Sequence, residues 1–454
     1  MEAYGILLIT IDSLRKDFLV SDDGTIINAK NISKMLRDPS TLYINAFTPA
    51  SGTPLSIFSL FTGKYPFIVY PNPPKPHHFS TLAQKLKDKG FVTVGVHSNP
   101  YLNDFNKGFM YFYDLYTIVK KPKKSSSNGH RSSETLKRII KAIIKGNYVL
   151  SYRKIACLYR TLKICLGIDE PPYARAYMLT EFFIDKFRKI LAANSNKPFF
   201  AWLHFMDMHH PYIPPRKFVN MTLINEALIG AKTFEINEAH YKMPDITSKD
   251  LEKIKELYRG TLKYVDSAIG KIIDFLKDLK LYENTMIIIT SDHGEGFLEH
   301  GFLGHPISLY EEIVRVPLVV KMPSEKISDT VAISTNGKKI NKSMVSLIDI
   351  KDTIVKGTLP LPAHKIIFME SWYPGMNKEL VACRTKEYKL ILDLRNKLFE
   401  LYNLKKDPLE KNNVYDSEYD VAKELKQKLF KHLKKLEKLR RVREKVISKV
   451  KNKI

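Results

Sequence analysis

Cysteine is scarce in this chain. Its 454 residues include three, Cys157, Cys165 and Cys383, an odd number without the paired spacings that hold zinc. A disulfide scaffold and a cysteine-ligated metal centre are therefore excluded. Long apolar runs are missing too. No stretch approaches the roughly 20 residues that a membrane-crossing helix needs. The run Gly5–Ile9 behind Met1 is too short for a signal sequence and lacks its basic lead. These absences predict a reduced, cytoplasmic protein. Acidic residues are in deficit, with 48 Asp and Glu against 73 Lys and Arg, a formal charge of +25. Such a balance suits an acidic substrate, nucleic acid or an anionic membrane face. It equally suits the lysine-rich composition of proteins from hot environments. The excess gathers in 117–165 and 423–453, away from the motifs below.

The remainder is ordinary globular composition, 44% apolar and 27% charged, in a chain long enough for one large domain and a smaller partner. Three short apolar runs end abruptly in polar residues. Ile6–Ile11 ends at Asp12-Ser13-Leu14-Arg15. Pro198–His204 runs into Asp207, His209 and His210 before Pro211-Tyr212. Met286–Thr290 ends at Ser291-Asp292-His293-Gly294. Continuous apolar runs of this length read as buried strands of a parallel sheet, and open α/β sheets bind ligands at the carboxyl ends of their strands. Amphipathic helical patterns at 82–90, 177–191 and 248–279 and a strand at Phe91–Val96 supply the β/α alternation.

Each polar cluster has a plain reading and a chemical one. Asp292 and His293 are adjacent hard and borderline donors suited to a divalent metal. Asp12 fits a helix cap or a metal ligand. The histidines near 209 fit satisfied core residues or a site. From Phe47 to Pro66 a Gly/Pro/Ser loop feeds a short apolar helix closed by Gly63. Its hydroxyls, Thr53 first, are either an N-cap or an alkoxide and anion site at the positive helix end.

Further on, Val316–Val320, Met344–Ile348 and Ile366–Met369 read as β elements, and 379–393 with 396–402 as a hairpin of a small antiparallel unit. Residues 117–172 form a polar, then basic insertion: a lid, a partner surface, an anion funnel, or helices with solvated lysine faces. From Ser417 a basic amphipathic helix carries apolar positions at Val421, Leu425, Leu429, Leu433 and Leu436. It suits packing on the body, a membrane surface or a partner helix.

Together the stretches Ile6–Asp17, Thr53–Pro66, His204–Pro215, Tyr258–Glu299 on through Gly301–Pro317, and Arg384–Leu390 with Glu400–Pro408 resemble the sulfatase-like branch of the alkaline phosphatase superfamily. The resemblance implies an α/β fold, a doubly wound, mostly parallel sheet with a small C-terminal antiparallel α+β subdomain and a basic helical tail. The division it suggests is 1–375 (with insertion 117–172), 376–416 and 417–454. Position by position, it implies that Asp12, Asp292 and His293 are metal ligands. Ser13 stands where members often have a further acid. Thr53 falls at the nucleophile position, His209 beside the transferred group, and His305 near a position where sulfatases often carry lysine. Arg15 matches a frequent substrate-side residue, and Asp207 with His209 or His305 would offer a second metal site. The implied cofactor is a divalent metal, one of Ca, Mg, Mn or Zn, and the implied substrate an anionic small-molecule or polymer ester.

The departure from the pattern is chemical. True sulfatases carry Cys-x-Pro-Ser-Arg, whose cysteine becomes formylglycine; here Thr53, Leu55 and Ile57 replace cysteine, proline and arginine, and Ser56 alone survives. A secondary alcohol cannot yield an aldehyde, so an ester on Thr53 must be released by attack on the transferred atom. The expectation is a metal-dependent hydrolase of phosphate mono- or diesters, or of sulfate esters. A soluble phospho-group transferase and a non-catalytic partner-binding protein are the alternatives, with 117–172 and 417–454 as contact surfaces for membrane or protein.

Overall fold

The computed structural model describes residues 5–72, 75–119, 161–164, 175–194, 197–238, 246–323, 338–357, 360–373 and 376–451. Eleven strands lie in its first part: β1 (Gly5–Ile11), β2 (Ser40–Phe47), β3 (Val92–His97), β4 (Tyr111–Asp114), β5 (Phe199–Phe205), β6 (Thr285–Ser291), β7 (Gly296–Phe297), β8 (Leu303–Gly304), β9 (Arg315–Lys321), β10 (Lys338–Asn341) and β11 (Val345–Ser346). The main sheet has the order β10-β2-β9-β6-β1-β5-β3-β4, with β11 also on β2. The three apolar runs form its centre: β1 pairs in parallel with β5 and β6, Gly5 lying opposite both Phe199 and Thr285. β9 is the antiparallel exception, wedged between β6 and β2. With β9 reversed, β1, β2, β3, β5 and β6 all deliver their carboxyl ends to one edge.

Alternate residues of β1 feed two cores, as the two-residue period of a strand requires. Leu7, Ile9 and Ile11 join the Ser248–Asp278 helix, through Ile254, Leu257 and Val265, and the Ala176–Ala193 helix. Ile6 and Leu8 face the Thr53–Thr62 helix through Ile57, Phe58 and Phe61. Each such side chain contributes about 1.5–3 kcal/mol on burial, so both faces are covered at high density and the site edge is held rigidly. The long helix starts at a capping box, Thr247 Oγ1 accepting from Asp250 N at 3.2 Å while Thr247 N donates to Asp250 Oδ2 at 3.0 Å, which satisfies two otherwise orphaned donors.

One core group makes folding sensitive to acid. His97 ends β3 fully buried, packed beside Phe112 and Trp202. Burial pushes its pKa down to about 4. Between the ordinary histidine value and 4 the unfolded chain binds the extra proton, so stability is full above about pH 6.5 and drains as pH falls towards 4. His97→Phe is expected to flatten that slope in urea titrations run at pH 7.5, 6 and 5. An unchanged slope assigns the acid sensitivity to other groups.

A second sheet follows, β12 (Ile367–Trp372), β13 (Glu379–Arg384), β14 (Tyr388–Asp393) and β15 (Leu398–Asn403), antiparallel in chain order. It begins upstream of residue 376, because Ile367–Trp372 hydrogen-bonds along β13; and the 379–393 segment is itself a hairpin. One face packs on the main body through Met369, Leu380 and Ile391 against Ile313 and Val314. The other receives the tail, the Tyr419–Lys451 helix, through Ala422, Leu425 and Leu429. Among the described residues no helix is long and apolar enough to cross a membrane. Apart from 117–119 and 161–164, the basic insertion lies outside the described residues.

Candidate active site

The edge where the strands end gathers residues far apart in sequence. Asp12 follows β1, its backbone N–H donating to Phe205 O at 2.8 Å and so continuing the ladder to β5. Asp292 and His293 follow β6. One ligand atom from each of Asp12, Asp292 and His293 lies within 4.8 Å of the others, and all three residues are fully buried. Ser13 turns the chain with φ 57°. It donates through N to Asp292 Oδ1 at 3.2 Å and through Oγ to Asp12 Oδ1 at 2.7 Å. The serine that replaces a further acid thus orients the acids that remain. Ser291 binds both turns together, its Oγ 2.6 Å from the carbonyls of Ile11 and His293 while accepting from Leu14 N at 2.9 Å.

Thr53 enters from the opposite core face, at the first turn of the Thr53–Thr62 helix, behind Gly52 at φ 108°. A side chain at Gly52 would meet open space, so the backbone angle alone calls for glycine. Thr53 Oγ1 donates to Asp12 Oδ2 at 3.0 Å and lies 3.4 Å from His293 Nε2. Ser56, one turn on, donates to the Asp292 carbonyl at 2.6 Å, locking the helix onto the turn after β6. The one hydroxyl shared with the family's motif thus positions backbone.

Across the edge stand His209, His210 and His305, one ring nitrogen from each within 4.8 Å of the others. His305 is the hinge between the two groups, its ring 4.5 Å from that of His293 and 4.9 Å from that of His209. Beneath them Glu295 is fully buried, contacting His305 Nδ1 at 3.0 Å and His210 Nδ1 at 4.0 Å and accepting from Tyr212 Oη at 2.7 Å. Burial would raise the Glu295 pKa, but His305 and His210 hold it far below the usual carboxylate range. Burial would likewise raise Asp12, yet the His204 contact and the charges of His209 and His293 keep it well below 3.8. Burial lowers His209 and His210. It opposes the rise of His293, which Asp292 and Asp12 nevertheless raise.

Two expected site residues are elsewhere. Arg15 does not face the cluster: its guanidinium donates to Asp17, to the Glu295 carbonyl at 3.1 Å and to Glu299 Oε1 at 2.6 Å. Those acids use up the fork, so Arg15 braces the turn. Asp207 turns back, its Oδ1 accepting from Ala176 N at 3.1 Å at the start of the Ala176–Ala193 helix, and burial pushes its pKa up to about 7. His210 takes the place beside His209 and His305 that Asp207 was expected to hold. Sequence reasoning counted His204 in the histidine cluster at the strand tip without giving it a role, and its Nε2 lies 3.5 Å from Asp12 Oδ2; it also gave Glu295 no role. His204 reads as one more residue of an apolar strand, and only its pairing opposite Thr10 turns it to the site.

The residues present fit a divalent cation. Asp292 Oδ2 is buried without a hydrogen-bond partner, an arrangement that costs free energy unless something completes it. His293 Nδ1 donates to the Gly294 carbonyl at 2.9 Å, which leaves the lone pair on Nε2, the usual arrangement behind a metal-bound histidine. Two carboxylates, an imidazole and a hydroxyl are hard-to-borderline donors. Asp292→Asn is expected to lower the metal content of the purified protein by about tenfold or more, read by elemental analysis after dialysis; retention of full occupancy would move the ion elsewhere.

The cluster opens to a cleft of about 590 Å³ whose wall includes Thr53, His209, His210, His305, Trp372 and Tyr373. Against this geometry the similarities to known proteins fall into one pattern. A model of the Sulfatase family matches residues 5–358. Arylsulfatase K of Canis lupus familiaris is 27% identical over 289 residues, 52% of this chain and 52% of that protein. Iduronate 2-sulfatase of Mus musculus is 24% identical, covering 71% of this chain and 60% of its own length. Choline-sulfatase of Rhizobium meliloti is 24% identical over 49% and 47%. The chain therefore spans about half the length of several curated relatives that it matches. The fold is shared with a protein solved with its substrate D-glucosamine-2-N,6-O-disulfate, at TM-score 0.64 and 17% identity, covering 96% of this chain and 99% of that one. It is shared too with the phosphonate monoester hydrolase of Agrobacterium radiobacter, at TM-score 0.63 and 18% identity over 97% and 96%. With the family model spanning most of the described sheet and every strand end that carries the cluster, the chain belongs to the Sulfatase family.

Proposed function

We propose that this chain is a hydrolase of phosphate or phosphonate esters, with sulfate esters as slower substrates, and that Thr53 is its nucleophile. The observation that carries the reading is Thr53 Oγ1 at a helix start, 3.0 Å from Asp12 and 3.4 Å from His293. A divalent metal held by Asp12, Asp292, His293 and Thr53 would lower the hydroxyl's pKa and neutralise oxygens of the transferred group. Thr53 gives its proton to solvent, and its Oγ attacks phosphorus. The Oγ–P bond forms as the P–O bond to the leaving alcohol breaks. His209, whose Nδ1 donates to the His210 carbonyl at 2.6 Å, takes a solvent proton at Nε2 and hands it to the departing alkoxide, its lowered pKa making the charged ring a strong acid. Water then attacks phosphorus, the P–Oγ bond breaks to release the acid, and Thr53 Oγ takes a proton back from solvent. His305 takes the water's proton, and Glu295 behind it steadies the imidazolium.

Threonine favours phosphoryl over sulfuryl transfer because the ester on Thr53 must be cleaved at the transferred atom. Paired turnover of one aryl alcohol as its phosphate, methylphosphonate and sulfate, with metal added back, tests the reading; phosphorus esters are expected to lead. Exclusive sulfate turnover would sink it. A second ion is a further proposal, favoured by the convergence of His209, His210 and His305; the elemental analysis above, extended to His210→Ala, reads it as a second equivalent lost.

A further inference from the structure

The tail helix reaches the loop that carries Thr53 through two side chains, Glu370 and His432. Both lie beyond the segment that the family model matches, which ends at residue 358. Glu370, on β12, is fully buried. Its backbone N–H donates to the Pro49 carbonyl at 2.9 Å, and it pairs in parallel with Ala50 as a one-residue bridge. Beside it, the hydroxyls of Ser371 and Ser51 are hydrogen-bonded. This short splice ends at the residue before Gly52, so β12 fixes the backbone that delivers Thr53. The Glu370 carboxylate serves the other flank of the same helix. Its Oε2 accepts from Phe67 N at 2.6 Å, in the turn at Pro66–Ile68 that follows Gly63. One residue thus grips the Thr53–Thr62 helix before its start and after its end.

The remaining carboxylate oxygen, Oε1, lies 3.3 Å from Nε2 of His432 on the tail helix. Two rings fix that imidazole. It stacks on Phe368, 4.0 Å between centroids and 1° between planes, and meets Tyr65 edge-on at 4.6 Å. Burial raises the Glu370 pKa, and His432 opposes the rise. A buried carboxylate that loses its partner is costly. Without His432, Glu370 gains a proton or turns, and its hold on Phe67 N and on the splice at 49–51 loosens. Gly52, at φ 108°, has no side chain with which to restore the register. We propose that Glu370 and His432 are positioning residues, through which the tail helix holds Thr53 Oγ1 against Asp12. The catalytic part of this proposal rests on the Thr53 reading; the mechanical part does not.

Full-length wild type, His432→Ala, Glu370→Ala and Glu370→Gln are compared with Phe187→Leu, a destabilised control in the other core. Hydrogen–deuterium exchange reads the amides of residues 50–57, and phenyl phosphate turnover, well below every Tm, reads kcat and KM. Both alanine variants are expected to exchange at 50–57 at least roughly tenfold faster than wild type. They should also lose kcat about ten- to hundredfold with KM within about threefold, the scale of a misplacement on the order of 1 Å. Glu370→Gln keeps an acceptor for Phe67 N and a polar group for His432, and is expected to stay within about threefold of wild type in both readings. Phe187→Leu should move neither. Unchanged exchange in both alanine variants, or an equal kcat loss in Phe187→Leu, would overturn the proposal. Faster exchange with unmoved kcat would overturn the positioning role. Where no ester turns over, exchange alone decides the clamp. If Thr53→Ala keeps full turnover while His432→Ala loosens 50–57, the nucleophile reading falls and the clamp stands. If Thr53→Ala is inactive and His432→Ala moves nothing, the chemistry stands and the clamp falls.

Discussion

Alanine at position 53 is expected to lower kcat for an aryl phosphate by about 10⁴-fold or more while leaving KM within a few-fold. The size follows from what Thr53 does. On the proposed reading its oxygen is the atom that forms the covalent bond, so the variant would lose the step itself rather than one of its supports. The rest of the cleft lining and the imidazole wall are untouched, which preserves binding. Thr53→Ser keeps an alcohol at the same helix start, 3.0 Å from Asp12 in the wild type, and is expected to retain activity within roughly 100-fold, the remaining deficit reflecting a less restrained hydroxyl. Rapid quenching with mass analysis of the peptide around residue 53 should find a phosphorylated threonine in wild type and none in the alanine variant. Full activity of Thr53→Ala would remove the nucleophile assignment outright. Thr53→Cys is expected to gain no fast sulfatase activity, because Leu55 and Ile57 still break the motif that marks a cysteine for oxidation in the family.

The second large effect concerns Gly294. A methyl group there would sit 1.9 Å from the Glu312 carbonyl oxygen and 2.9 Å from its carbon. The two backbones are held together by Gly294 N donating to Ile313 O at 2.7 Å and Glu295 N to Glu312 O at 3.2 Å. Neither side can yield cheaply. One side carries His293 and Glu295. The other carries Glu311, which pairs with Arg384 and buried Lys389 of the small sheet. Gly294→Ala is therefore expected to cost about 3 kcal/mol or more, at the upper end of overpacking, and to lower Tm by roughly 3–4 °C. Metal content should fall in parallel, since His293 is the preceding residue. Gly301→Ala makes the control: its φ is +76° but nothing lies within 4 Å of the added carbon, so about 1–2 kcal/mol is expected. Calorimetric scans giving equal losses would show that conformation, not the close approach, sets the cost.

The strands at the centre were legible because burial on both faces demands unbroken apolar runs, as in Ile6–Ile11 and Met286–Thr290. The carboxyl-end rule then located Asp12, Asp292 and His293 on one edge, where the structure places them together. The reversed direction of β9 was not legible. Val316–Val320 has the same apolar character as its parallel neighbours, and direction is decided by connections rather than by pattern. Side-chain aim was equally hidden. Asp207 lies two residues from His209, yet one caps a helix and the other faces the cleft. Arg15 follows the ligand turn closely, but Asp17 and Glu299 capture it. His210 and Glu295 were visible as residue types and silent as to role, because their meaning comes from each other. The tail's apolar spacing predicted a packed helix, and Leu425 and Leu429 do pack.

The central position of β1 also fixes the order in which the molecule can be completed. Its partners in the register begin at Phe199 and Thr285, so β1 must wait for both β5 and β6 to be synthesised. At translation rates of roughly 5–20 residues per second, the separation of 280 residues between Ile11 and Ser291 corresponds to a delay on the order of 15–60 s. Until β5 emerges this apolar strand has two unpaired edges on the nascent chain, and one until β6 follows, where aggregation competes with folding. The Asp12, Asp292 and His293 cluster, drawn from both ends of that wait, cannot form on any fragment lacking β6. Ribosome-bound intermediates should therefore acquire metal-dependent protease resistance only after residue 293 has cleared the exit tunnel.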